Sequence, residues 1–349
     1  MDMNIVLPLA SSILSFVFFV FLIDQWLERR RPYQLIWAIG MLWYALSAGT
    51  EFLGGAFGWS EPLYRAWYLI GAVWVAAWLG LGTVMLLGRT RFGYSVSLAI
   101  LLAGLFTFLS WRKFDYPESG SSAYIYLALG FVVALTIAVL TYRRSAHWPT
   151  LVAALVVIGS IGAGVVALSV PLAVPGYAVD PATGIPVGTL FPGYLRLMTP
   201  FFNITGAYAL TFGALYSSYV FMPKRRLLRY SLDRRQGPLR LLIGLGIALV
   251  ALPVNLIASV PGALTALASG RLNSRVPATI LIAIGGLIPA ITSGANRFGA
   301  TSAFFVGELL GVTFLFLGFL VSIEVFAEIR VPFTRTLLWK RRSVHEQEA

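Results

Sequence analysis

Two carboxylates stand inside otherwise apolar sequence: Glu51, between Thr50 and Phe52, and Glu308, between Gly307 and Leu309. An unpaired charge near the middle of a bilayer costs about 2.5 kcal/mol or more, so an acid in that setting has a partner, a proton or a ligand. Glu51 falls some eighteen residues into its apolar block, roughly 27 Å of helix rise, which puts it near the far interface. Arg65 opens the next block on the same side. Either a Glu51–Arg65 ion pair closes this hairpin, or the carboxylate receives a ligand. Glu308 lies deeper and is flanked by Gly307 and Gly311, with Gly318 a further heptad along. Small residues at this spacing let another helix approach closely. Either Glu308 hydrogen-bonds to a neighbour such as Asn255, Asn296 or Arg297, or it is a protonatable carboxylate on a translocation route.

Aromatic residues crowd the second and third apolar blocks: Trp37, Trp43, Tyr44, Trp59, Tyr64, Trp67, Tyr68, Trp74 and Trp78. On an α-helix Tyr64, Trp67, Gly71, Trp74 and Trp78 would share one face. That face is either helix–helix packing about Gly71 or the wall of a cavity for a lipid, a quinone-like ring or a cation near Glu51. The candidate ligand-binding residues are therefore Glu51, Arg65, Trp67, Trp74, Trp78 and Glu308.

Residue types exclude much other chemistry. The chain has no cysteine, so thiolate nucleophiles and thiolate metal sites are out. Its histidines, His147 and His345, both lie outside the apolar blocks, which removes haem ligation by histidine and a histidine-rich zinc site. Lys113, Lys224 and Lys340 fall in loops or the tail, leaving no residue for a retinal Schiff base. Neither Gly-x-Ser-x-Gly nor a P-loop occurs. The expectation is a non-enzymatic protein with no cofactor and no metal.

These residues need helices to hold them. The 349-residue chain is 58% hydrophobic and 11% charged, with a mean hydropathy of +0.81, whereas a soluble domain runs near a quarter charged. Apolar blocks of about 20 residues match the length of helix that crosses a bilayer. None shows the alternation of an outer-membrane barrel strand. The fold class expected is an all-α, polytopic transmembrane bundle with nine to ten membrane segments. Seven spans are expected at 5–23, 33–57, 64–88, 92–111, 122–142, 149–170 and 197–222, the first retained rather than cleaved because no basic leader precedes it.

Basic residues set the orientation. Arg29, Arg30, Arg31, Arg89, Arg91, Arg143, Arg144, Lys224, Arg225, Arg226, Arg229, Arg234, Arg235 and Arg240 fall on one side, against Arg65, Arg112, Lys113 and Arg196 on the other. The positive-inside rule then puts the amino terminus outside a cytoplasmic (inner) membrane. The same placement at helix ends argues against nucleic acid as the partner of a chain with net charge +12. Four regions follow: a seven-helix bundle (1–222), a basic cytoplasmic loop (223–240), carboxy-terminal membrane segments (241–329) and a basic tail (330–349). In the third region, either 241–269 crosses and leaves the tail outside, or it bends at Pro253 or Pro261 as a re-entrant element. The Pro- and Gly-rich stretch 171–196 reads as successive turns, either a connector or a cap. The 224–235 run, with spaced leucines among arginines, suits a short helix on an anionic membrane surface, or a docking point for a cytoplasmic protein.

The stretch from Tyr64 through Trp67, Tyr68 and Gly71 to Trp78, Gly80, Gly82 and Thr83 resembles a segment of uncharacterised multi-pass bacterial membrane proteins, and that resemblance implies no activity. Function is expected to be binding or transport of a small apolar or cationic molecule near Glu51 in contact with membrane lipids. The alternative is a sensor or assembly protein acting through a partner at 223–240.

Overall fold

The first apolar block forms α1 (Met3–Arg29), and Arg30, with φ of 52°, turns the chain out of the helix. Pro32 then opens α2 (Pro32–Phe57), since a helix's first turn needs no proline N–H. In this computed structural model the described residues are 3–181, 184–269, 271–273, 275–296, 303–322, 328–330, 332–334 and 337–340. The third span is not one α-helix: α3 (Glu61–Trp67) runs into a π-helical segment, Tyr68–Trp74, and continues as α4 (Val75–Leu86). Then come α5 (Gly93–Lys113), α6 (Ser122–Tyr142), α7 (Trp148–Ser169), α8 (Gly193–Phe221), α9 (Pro238–Ala268), α10 (Arg275–Asn296) and α11 (Ala303–Val321). The tail adds a short antiparallel hairpin, β1 (Glu328–Arg330) with β2 (Leu337–Lys340).

The protein is an all-α, multi-pass membrane bundle. Among the described residues nine helical stretches are long and apolar enough to cross a membrane. Leu129, Phe131, Val132 and Leu135 on α6, and Ile158, Ile161, Val165 and Leu168 on α7, lie exposed on the outside. A water-soluble fold would have buried faces of that kind.

One long helix, α8, is missing from those nine because Arg196, Asn203, Thr205, Thr211, Ser217 and Ser218 dilute it. It is nevertheless central. Gly206 of α8 meets Gly80 of α4 so closely that a Cβ on Gly80 would lie 2.4 Å from the Gly206 carbonyl oxygen. Gly213 meets Thr83 further along, so α4 and α8 run parallel. On its other side α8 packs antiparallel to α10, with Ser218 hydrogen-bonded to Thr279 at 2.7 Å and Thr211 against Gly286. The glycines of α11 do admit a neighbour: Gly307 meets Thr292, Gly311 meets Pro289, and Gly318 meets the Ala278 carbonyl, all on α10. α11 also packs on α1 and α2, through Phe18–Phe319 rings 5.0 Å apart and Tyr44 against Glu308. The carboxy-terminal helices are thus part of the same core as the first seven spans.

One candidate span behaves differently. α9 is continuous through Pro253 and Pro261, without a break into two half-helices. Residues 223–232 run alongside it as a strap. Asn255 accepts from the backbone N–H groups of Leu227 and Leu228 at 2.8 and 2.9 Å and donates to the Leu228 carbonyl at 2.8 Å. Ser259 accepts from Arg225 N at 2.9 Å, and Gly244 lies against the Ser231 carbonyl. The far end of the strap is held by Arg91, between α4 and α5, which donates to the Leu232 carbonyl. The near end meets α8 and α10, where Ala263 packs with Tyr219, Met222 and Val276. Arg91, Met222 and Val276 all belong to one end of the bundle. The Gly244 and Ala263 regions of α9 therefore sit at the same end, and the helix lies across it. The 224–235 run, expected as a short helix, is irregular over 224–233 where it follows α9, and only Arg234–Gln236 forms a 3-10 turn.

Candidate functional site

Glu51 and Glu308, expected as separate sites, come together. α2 and α11 run antiparallel, and the two carboxyls lie within hydrogen-bonding reach of each other. Glu51 is 2% exposed, and its Oε1 accepts a hydrogen bond from Trp67 Nε1 at 2.9 Å. The remaining oxygens, Glu51 Oε2 and Glu308 Oε2, are shielded and have no donor. Two ionised carboxylates have no hydrogen between them; only a proton or a cation turns this contact into a favourable one. The Tyr44 hydroxyl donates to the Glu308 backbone carbonyl at 2.8 Å, which fixes α11 against α2 at this level.

Arg65 does not join them. Its guanidinium binds Glu61 one turn earlier, with N–O distances of 2.9 and 2.7 Å, and donates to the Ala167 carbonyl at 2.7 Å. The expected Glu51–Arg65 pair is therefore replaced by a local i,i+4 pair that the same helix offers at lower entropic cost. Glu61 Oε2 also accepts from Gly176 N, tying α3 to the 171–196 loop. Nor is Asn255 a partner of Glu308, because it binds the strap. The side chain of Asn296 and all of Arg297 lie outside the described residues.

The aromatic face splits in two at the π-helical segment. An i→i+5 turn takes more residues than an α-turn, so side chains spaced for one α-helical face diverge across it. Trp67 faces Glu51, and Gly71 meets Ser47 of α2. Trp74 and Trp78 turn to α7, donating to the Ser160 carbonyl and hydroxyl, each at 3.2 Å. Trp74 also lies against Trp43, ring centroids 4.5 Å apart. Of the six expected site residues, Glu51, Trp67 and Glu308 meet, while Arg65, Trp74 and Trp78 hold neighbouring helices.

Aromatic rings close the end of the site nearer α3. Trp59 packs edge-on to Trp67 at 6.2 Å and covers Gly54, three residues beyond Glu51. Tyr64 and Tyr68 stack on Phe191 of the 171–196 loop, at 5.4 and 4.1 Å, so that loop folds down as a cap. On the other side, separated from the carboxyls by Tyr44 and Val312, is a cavity of about 50 Å³ lined by Phe18, Leu22, Trp37, Met41, Leu315 and Phe319, among others. No sequence pattern pointed to that cavity, whose walls come from six helices. Ser11 and Ser15, also missed, bury unpartnered hydroxyls on the α1 face that meets α2 and α11. No group of three or more metal-ligating side chains occurs among the described residues.

No protein-family model, curated protein or solved structure matches this chain.

Proposed function

We propose that the protein binds a small organic cation, with the Glu51–Glu308 pair holding its charge, and that it moves this cation across a cytoplasmic membrane. The observation that carries this reading is the meeting of two carboxyls from α2 and α11 in the absence of any basic partner among the described residues. Like charges in contact are tolerated when a proton is shared between them. A cation arriving at the pair displaces that proton, which couples binding to proton release. The orientation in this reading has the amino terminus outside, because the helix ends bearing Arg29 to Arg31, Arg89, Arg91, Arg143, Arg144 and the 223–240 segment then face the cytoplasm.

The test uses tetramethylammonium and tetraethylammonium with the purified protein in lipid nanodiscs. Saturable binding with proton release into weakly buffered medium is expected, weakening as pH falls because protons compete for the same oxygens. Glu51→Gln and Glu308→Gln should each weaken binding at least about tenfold, the order expected from losing one charged contact. Undiminished affinity in both variants, or binding without proton release, would remove the pair from the function.

A further inference from the structure

We infer that α9 does not cross the bilayer but lies in its interface, with its apolar face among the acyl chains and the flanking arginines on anionic lipid headgroups. Three observations carry this independently of the cation reading. First, its stripe of Leu241, Gly244, Ala248, Ala251, Asn255, Ser259 and Ala263 is covered or packed, and both ends of that stripe sit at one end of the bundle. Second, the opposite stripe is apolar and bare: Leu242 is 65% and Ile257 70% exposed, with Leu249, Leu264 and Leu267 beside them. Third, charge surrounds the helix. Lys224, Arg225, Arg226 and Arg229 are exposed on the strap, Arg240 stands in the first turn, and Arg271 and Arg275 follow the last. Between 223 and 275 the only acid is Asp233.

An interfacial helix normally carries its own polar face. α9 has almost none, and the strap supplies it. Asn255 and Ser259 hold the strap's backbone on one side, while basic side chains leave it on the other. Arg275 lies over the Phe221 ring at 4.9 Å and Lys224 over Tyr219 at 5.9 Å, an arrangement of aromatics and cations suited to headgroup depth. A polybasic segment at this depth selects anionic lipid over zwitterionic lipid. A free protein partner would not need bare leucines flanked by so many cations at the end of a membrane bundle.

The chain's lack of cysteine makes the test clean. Gln236→Cys and Ser269→Cys, at the two ends of α9, are labelled with an impermeant maleimide in sealed vesicles of known orientation. Labelling of both from the same side is expected; labelling from opposite sides means that α9 spans and overturns the inference. Ile257→Cys carrying a fluorophore should be quenched by acyl-chain spin label more strongly than by aqueous iodide, and the reverse order also overturns it. For the headgroups, native mass spectrometry in equal phosphatidylglycerol and phosphatidylcholine should show preferential retention of phosphatidylglycerol. That preference should fall several-fold in the Arg225→Gln, Arg226→Gln, Arg229→Gln variant, checked for unchanged labelling at Ser269→Cys. No preference in the wild type, or no change in the variant, defeats the headgroup assignment.

Discussion

Glu51 uses one oxygen to accept from Trp67 and buries the other without a donor, so the cost of each substitution depends on what it leaves unpaired. Trp67→Phe removes the single donor and strands a buried acceptor, which should lower stability by about 1–3 kcal/mol. Glu51→Gln acts oppositely. Its amide oxygen can keep the Trp67 bond and its NH2 group can donate to the Glu308 carboxyl, so thermal stability should hold or rise while cation binding is lost. Thermal unfolding of the two variants in one detergent checks the contrast; a Glu51→Gln protein as unstable as Trp67→Phe would mean that the carboxylate serves packing. Of these contacts, the acids themselves were legible in the sequence, because a carboxylate in an apolar block is rare. Their meeting was not, since no local spacing links residue 51 to residue 308. The Arg65 expectation failed because sequence distance concealed a nearer acid, Glu61, on the same helical face.

Helices meet here where side chains are absent. At the α4–α8 crossing, Gly206→Ala would put a Cβ 2.2 Å from the Ala76 carbonyl oxygen, a backbone atom that cannot rotate away. Separation of the two helices is expected at a cost of about 1–3 kcal/mol, seen as a lowered melting temperature. Gly162, with nothing within 4 Å of its Cβ position, is the control, and Gly162→Ala should leave melting unchanged or slightly raised. The strap on α9 can be tested in the same way. Asn255→Leu leaves the Leu227 and Leu228 N–H groups without their acceptor, and trypsin should cut at Arg225 to Arg229 about tenfold faster while the bundle melts as before. At this scale the glycine spacing of α11 could be read in advance, since small residues every fourth position have one common use in membranes. The π-helical segment could not, and it alone redirects Trp74 and Trp78 away from Glu51.

For the molecule as a whole, the proposed orientation puts the arginine-rich end in the cytoplasm. Ser121→Cys, between α5 and α6, should be labelled by impermeant reagent from outside intact cells, and Ala146→Cys, between α6 and α7, only after the membrane is opened; the opposite pattern would invert the bundle. The described segment 332–334 lies near the carboxy-terminal end of α1, because Phe333 N donates to Asp24 Oδ1 at 2.8 Å. Composition and block length alone determined that this is a helical membrane protein with close to nine crossings, because a bilayer leaves an apolar chain few other structures. They also narrowed the chemistry to be expected, since the chain has no cysteine and its histidines and lysines lie outside the apolar blocks. Which long helices join the core was decided only in three dimensions: dilute α8 is core because Gly206 admits α4 and Ser218 finds Thr279 on α10, whereas apolar α9 is held by a strap that satisfies Asn255. The carboxyl pair and the cavity below it were decided there too, since both are made by helices from opposite ends of the chain.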